Sequence, residues 1–260
     1  MTPDTALAAE WRPSPNHGER IGGRPPDMLV LHYTGMPGAE AALARLCCPA
    51  AEVSAHYVVR ECGRILQLVA ESRRAWHAGA GCWAGLSDIN SASIGIEIVH
   101  PGHAGGLPPY PDAQIDAVTR LGLDIARRWT IAPERVLAHS DVAPDRKEDP
   151  GEVFPWQRLH RAGLGHWVAP APLVDGPTLA EGSTGDDVAG LQAALRDYGF
   201  GLQETGRYDA ATASVVRAFQ RHFRPGRIDG VADQSTRTTL DALRASRPGS
   251  GAQGRSGPRR

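Results

Sequence analysis

Apolar and polar positions follow two rhythms along the chain, one up to about residue 168 and another after residue 178. Met28 to Tyr33 (Met-Leu-Val-Leu-His-Tyr) is apolar almost throughout, which predicts a strand buried on both faces and central in a sheet. The alanine-rich stretch Gly38 to Cys47, with Leu43 and Leu46, predicts a helix. His56 to Val59 and Arg64 to Val69 predict two strands, and the Glu61-Cys62-Gly63 turn between them predicts a hairpin. Ser93 to Val99 alternates, so Ile94, Ile96 and Ile98 share one face and Gly95, Glu97 and Val99 the other. Pro111-Asp112 opens a helix with Asp112 as its cap and Ile115, Val118, Gly122, Ile125 and Trp129 on one stripe. Val136, Leu137 and Ala138 read as a strand that ends at His139, and Pro155 to Leu159 as the start of a short helix. After residue 178 three short helices are expected, carrying Val188, Leu191 and Leu195, then Val215, Val216 and Phe219, then Leu240 and Leu243.

Composition divides the 260 residues accordingly. The expected layout is an extended segment over 1–26, a large domain over 27–168 and a linker over 169–177 rich in proline. A small helical domain over 178–245 and a disordered basic tail over 246–260 complete it. The content is 41% hydrophobic and 22% charged, as in ordinary globular proteins. A net charge of -1 gives no reason to expect a nucleic-acid partner, and no run is apolar for long enough to span a bilayer. A monomer is expected. The only apolar run near the start, Ala6 to Ala9, is too short for a signal peptide, so a cytoplasmic location is expected, or the periplasm if the start is misassigned. The cysteines Cys47, Cys48, Cys62 and Cys82 lack CxxC spacing and read as reduced small core residues.

Chemistry concentrates in His139 to Gly151, His-Ser-Asp-Val-Ala-Pro-Asp-Arg-Lys-Glu-Asp-Pro-Gly. Two prolines and a glycine hold it as a loop, so a strand-end imidazole, Lys147 and the Asp149 carboxylate share one stiff segment. Imidazole with carboxylate suits Zn²⁺, and a catalytic site needs a third ligand with one position left open. His32, again at a strand end, is the comparable histidine upstream. Glu97 has only a glycine and a valine for same-face neighbours, an environment that raises a carboxyl pKa as a general base requires. Trp76 and His77 lie in a glycine- and alanine-rich loop, where they either line a site or anchor the loop. A thiol hydrolase pairing Cys62 or Cys82 with His56 or His77 is the competing reading.

Five blocks in order carry a family resemblance: Leu31-His32-Tyr33-Thr34, Ser54-Ala55-His56-Tyr57, Ala75-Trp76-His77-Ala78-Gly79, Ser93-Ile94-Gly95-Ile96-Glu97, and His139 through Gly151. Over residues 25 to 165 the chain resembles the zinc-dependent N-acetylmuramoyl-L-alanine amidases related to peptidoglycan recognition proteins and phage amidases. Gly182 to Val188, Leu191-Gln192, Gly206 to Asp209, Phe219-Gln220 and Asp229-Gly230 resemble a three-helix peptidoglycan-binding domain. The resemblance implies an α/β fold, a mixed β-sheet flanked by helices, followed by the small all-α domain. It implies one zinc ion held by His32, His139 and Asp149, with Glu97 as the base and Lys147 facing the reacting carbonyl. Trp76 and His77 become substrate contacts, and the partner is peptidoglycan or muropeptides. The expected reaction is cleavage of the amide between N-acetylmuramic acid and L-alanine in wall turnover or recycling. A prophage endolysin and a non-catalytic peptidoglycan-binding protein are the alternatives. Asp145 stands where many relatives carry glycine, and with Asp141 it is expected to compete as a carboxylate near the metal.

Overall fold

The computed structural model describes residues 2–247, so the tail expected over 246–260 lies, from residue 248 on, outside the described residues. Among the described residues eight strands occur: β1 (Glu10–Trp11), β2 (His17–Gly18), β3 (Met28–Tyr33), β4 (Tyr57–Val59), β5 (Ile65–Gln67), β6 (Arg74–Ala75), β7 (Ser93–Ile98) and β8 (Val136–Ala138). The α-helices are α1 (Ala39–Leu46), α2 (Ile89–Ala92), α3 (Asp112–Trp129), α4 (His139–Val142), α5 (Trp156–Arg161), α6 (Asp186–Tyr198), α7 (Ala210–Phe223) and α8 (Gln234–Ala245). The main sheet has the order β1-β5-β4-β7-β3-β8 and is mixed: β4 and β5 form the antiparallel hairpin, while β4, β7, β3 and β8 run parallel. Parallel strands need coverage on both faces, which explains why β3 is apolar from Met28 to Leu31, up to His32 at its end.

On one face Leu29, Leu31, Ile94, Ile96 and Ile98 pack against Ile115, Val118, Leu121 and Ile125 of α3. The sequence assigned Asp112 as the cap of this helix, but Pro111 holds that position and Asp112 lies in the first turn. The other face, through Met28 and Val30, joins a cluster that also contains Val188, Leu195, Phe219 and Phe223 of α6 and α7. The C-terminal unit therefore packs against the sheet, and residues 169–177 between them carry no helix or strand. Trp83 sits at the join, buried, edge-on to Phe200, and its backbone N–H donates to Leu86 while Ala84 N–H donates to Gly199 O.

The stretch before β3, expected as an extended lead-in, is tied into the fold. β1 adds a parallel edge strand beside β5, and β2 pairs antiparallel with β6. The Arg20 guanidinium is buried and donates to the carbonyls of Glu71, Ser91 and Ser93. None of the cysteines is a buried core residue: Cys48 and Cys62 are exposed, Cys47 and Cys82 half-buried, and all are free thiols. The expected core placement fails because Cys47 and Cys48 fall at helix ends, Cys62 in a turn and Cys82 in an irregular stretch.

The C-terminal helices repeat one local device. Asp209 and Asp233 cap α7 and α8 by accepting from Thr212 N–H and Thr236 N–H. Gln192 accepts from Thr205 and Gly206 N–H and donates to Thr212 Oγ1. Gln220 likewise accepts from Asp229 and Gly230 N–H and donates to Thr236 Oγ1. Each buried glutamine thus fixes a helix–loop–helix corner that the small core alone would leave loose.

Candidate metal centre

Parallel register brings the first three groups together. His32 on β3 is paired with Glu97 on β7, and Leu31 with Ala138 on β8, so His32, Glu97 and His139 occupy the carboxyl ends of three adjacent strands. Segment 139–149 then returns Asp149 to the same point. It does so partly as the single turn α4 where the sequence suggested a loop, with Ser140 N–H donating to Asp149 O. His32 Nδ1 lies 2.9 Å from His139 Nδ1 and 3.1 Å from Asp149 Oδ2, and His139 Nδ1 lies 3.0 Å from Asp149 Oδ2. All three residues are buried, and they form a group able to hold a metal ion. The separations are about 0.2–0.4 Å shorter than the roughly 3.3 Å between ligands of a tetrahedral shell at about 2.0–2.1 Å, so a small outward movement of the side chains seats one such ion among them.

The surrounding hydrogen bonds fix which nitrogen faces inward. His139 Nε2 lies 3.0 Å from Ala78 O, which can only accept, so Nε2 carries the proton and Nδ1 presents its lone pair. His32 Nε2 lies 3.0 Å from His77 Nδ1, His77 Nε2 lies 3.2 Å from Ser93 Oγ, and Ser93 Oγ donates to Ile89 O at 2.6 Å. With that hydroxyl already donating, it accepts from His77 Nε2–H, and His77 Nδ1 accepts from His32 Nε2–H. The His32 Nδ1 lone pair is left facing His139 and Asp149. His77 thus orients a ligand, a role the sequence did not suggest. Its ring lies directly over Gly95 of β7, where a Cβ would come within 2.5 Å of His77 Cγ. Side chains at this site would force the ring away, which gives Gly95 a purpose beyond strand geometry.

Electrostatics agree with a cation site. Burial, then the neighbouring His139, pushes His32 down to about 4, so it stays neutral and able to ligate. Burial alone would raise Asp149, but His139 and His32 outweigh it and hold the carboxyl well below the usual range. Glu97 moves the other way: burial, then the Asp149 charge, raises it well above an ordinary glutamate, and Lys147 opposes this only in part. Its Oε2 is shut off from solvent and meets no hydrogen-bond partner among the described residues.

A cavity of about 240 Å³ opens over these groups, lined by His32, Glu97, His139, Lys147 and Asp149 with Trp76 and Arg45 among the wall residues. Every site residue expected from the sequence lines it, His77 included, although His77 is buried behind His32. Asp141 and Asp145 do not line it. Asp141 is fully buried facing α7, where its Oδ2 accepts from Ala138 N–H and pairs with His222, and Asp145 is exposed, so neither competes for the metal as expected. The thiol pairing also fails: His56 engages Gly95 N–H and Arg73 O, and His77 engages His32 and Ser93, with no thiol bonded to either among the described residues.

A mixed sheet with two imidazoles and a carboxylate at its strand ends, beside a desolvated glutamate, has the arrangement of a metal-dependent hydrolase. The family described as N-acetylmuramoyl-L-alanine amidase matches residues 22–152, and a putative peptidoglycan binding domain matches residues 184–240. The chain is 39% identical to the N-acetylmuramoyl-L-alanine amidase AmiD of Escherichia coli (strain K12), over 83% of this chain and 81% of that protein. It is 32% identical to the 1,6-anhydro-N-acetylmuramyl-L-alanine amidase AmpD of Enterobacter cloacae, over 57% of this chain and 86% of that protein. The structure of E. coli AmiD in complex with anhydro-N-acetylmuramic acid-L-Ala-D-gamma-Glu-L-Lys superposes with a TM-score of 0.72 and 36% identity, covering 86% of this chain and 90% of that one. AMPDH3 from Pseudomonas aeruginosa gives 0.72 and 35%, covering 86% and 93%. The chain belongs to the N-acetylmuramoyl-L-alanine amidase family. No described helix is long and apolar enough to cross a membrane.

Proposed function

We propose that the chain hydrolyses the amide joining the lactyl group of N-acetylmuramic acid to L-alanine, in peptidoglycan or its fragments, during wall turnover or recycling. The observation that carries this reading is the convergence of His32 Nδ1, His139 Nδ1 and Asp149 Oδ2 at mutual separations of 2.9–3.1 Å beside Glu97. In this reading the bound ion is zinc, held by those three atoms, and when bound it supplies Lewis acidity that polarises a carbonyl and lowers the pKa of water. Glu97 removes the proton from the attacking water and delivers it to the leaving amine, and its raised pKa suits both transfers. Lys147, on the cavity wall, faces the oxygen on which negative charge develops. Trp76 contacts the substrate from the rim, while His77 acts on the substrate only through His32.

Both the AmpD relatives, by their names, and the AmiD complex involve anhydro-muramyl peptides, so these are the first substrates to offer. The unit matched to peptidoglycan binding is proposed to hold the enzyme on glycan. Mass spectrometry of muropeptides incubated with the protein tests the reading. Release of a peptide beginning at L-alanine, abolished by a chelator and restored by zinc, is expected. No cleavage by folded, zinc-loaded protein of either intact or anhydro muropeptides would overturn it.

A further inference from the structure

The segment that carries His139, Lys147 and Asp149 does not hold its shape alone. Both of its ends are gripped by consecutive residues of one helix in the C-terminal unit, Arg221 and His222 of α7. At the start, Asp141 Oδ2 accepts from Ala138 N–H at 2.7 Å and lies 2.7 Å from His222 Nδ1. That imidazole is fixed in turn by stacking on Trp156, with ring centroids 3.7 Å apart. At the far end, Arg221 donates from Nη2 to Glu148 Oε1 at 3.1 Å, and its Nε lies 3.5 Å from Glu152 Oε2. His103 approaches the same two carboxylates, 3.0 Å from Glu152 and 3.8 Å from Glu148.

Glu148 stands between two cavity residues. Lys147 and Asp149 line the cavity, and Glu148 turns outward to α7. An outward pull on the middle residue sets the direction of both neighbours. Arg221 is nearly buried, so its guanidinium has few alternative partners and its position is well defined. The Glu148 side chain is 55% exposed, and solvent screening weakens the pair without removing its directionality.

We infer that α7 is a positioning element of the metal centre, with Arg221 acting through Glu148 and His222 through Asp141 to hold segment 139–149 in the shape that presents Lys147 and Asp149. The C-terminal unit then contributes to catalysis itself, besides any hold on glycan. This rests on the reading of the site given above.

The test uses the full chain, loaded with zinc, and two readouts: the rate at which zinc passes to a chromogenic chelator, and kcat and KM on a soluble anhydro-muramyl tripeptide. For Arg221→Met, zinc release about tenfold faster and kcat about tenfold lower are expected with KM nearly unchanged, the lower end of the effect of outer partners on a metal site. Glu148→Gln should shift both in the same direction, Arg221→Lys should restore part of the loss, and the double variant should be no worse than the stronger single one. Unchanged zinc release and kcat in Glu148→Gln, whose exposed side chain makes misfolding no explanation, would overturn the inference. The same result in folded Arg221→Met with weaker binding to sacculi would reduce α7 to a docking surface. A wild-type chain that binds no zinc would instead overturn the metal reading beneath it.

Discussion

Gly95→Ala is the sharpest test of the layer behind the metal ligands. The added methyl would sit 2.5 Å from His77 Cγ, 2.6 Å from Nδ1 and 2.7 Å from Cδ2, against an ordinary contact of 3.4 Å or more. The ring must retreat by roughly 0.9 Å, and that takes its 3.0 Å contact with His32 Nε2 out of hydrogen-bonding range. Overpacking of this kind costs about 1–3 kcal/mol of stability. Loss of the partner that orients a metal-binding imidazole typically costs about 10–100-fold in metal affinity or activity. Both effects act on one substitution, so they can be separated: chemical denaturation of the metal-free protein reads the first, and zinc competition with kcat reads the second. Gly190→Ala is the control, since nothing lies within 4 Å of a Cβ there and its exposed place inside α6 predicts a gain of about 0.5–1 kcal/mol. Wild-type zinc affinity and kcat in folded Gly95→Ala would refute the assigned role of His77.

Three further outcomes follow from the same geometry. Lys147→Ala should lower the rate by about 10²–10³ with zinc content unchanged, the usual loss for one oxyanion donor; loss of zinc from that variant would place Lys147 in the wrong role. His56 is pushed down to about 3, by burial first and then Arg20, and its Nδ1 accepts from Gly95 N–H, which an imidazolium could not do. Below pH 6.5 the unfolded chain takes up a proton that the folded chain refuses. Metal-free protein should therefore lose about 1.4 kcal/mol per pH unit for this group between pH 6.5 and about 3. His56→Gln should flatten the measured slope by that amount, and an unchanged slope would count against a neutral His56. Glu71, buried, accepts from Tyr57 Oη, Trp129 Nε1 and Arg128 Nη2 at 2.6–2.7 Å. Glu71→Ala should cost about 2–5 kcal/mol in denaturant unfolding, because it leaves the Tyr57 hydroxyl and the Trp129 indole N–H without their acceptor and takes from Arg128 one of its two carboxylates, Asp124 remaining; a loss under about 1 kcal/mol would mean the cluster carries no stability.

Local patterns in the sequence determined local structure. Alternation over residues 93–99 put Glu97 on the face opposite Ile94, Ile96 and Ile98, and that is how β7 is built. Asp209 with Thr212 announced the start of α7, and the turn at Cys62-Gly63 announced the β4–β5 hairpin. The residues at the site were legible too, because strand ends and a proline-stiffened segment are readable from neighbours in the chain. Tertiary structure decided which of them meet. Parallel register, a property of strands far apart in sequence, put His32 beside Glu97. It also set His77 against the back of His32, turned Asp141 from the metal toward His222, and packed the C-terminal helices against the sheet around Trp83. Periodicity specifies the face of an element on which a side chain lies. The identity of what packs against that face depends on long-range closure of the chain, which no window of sequence contains.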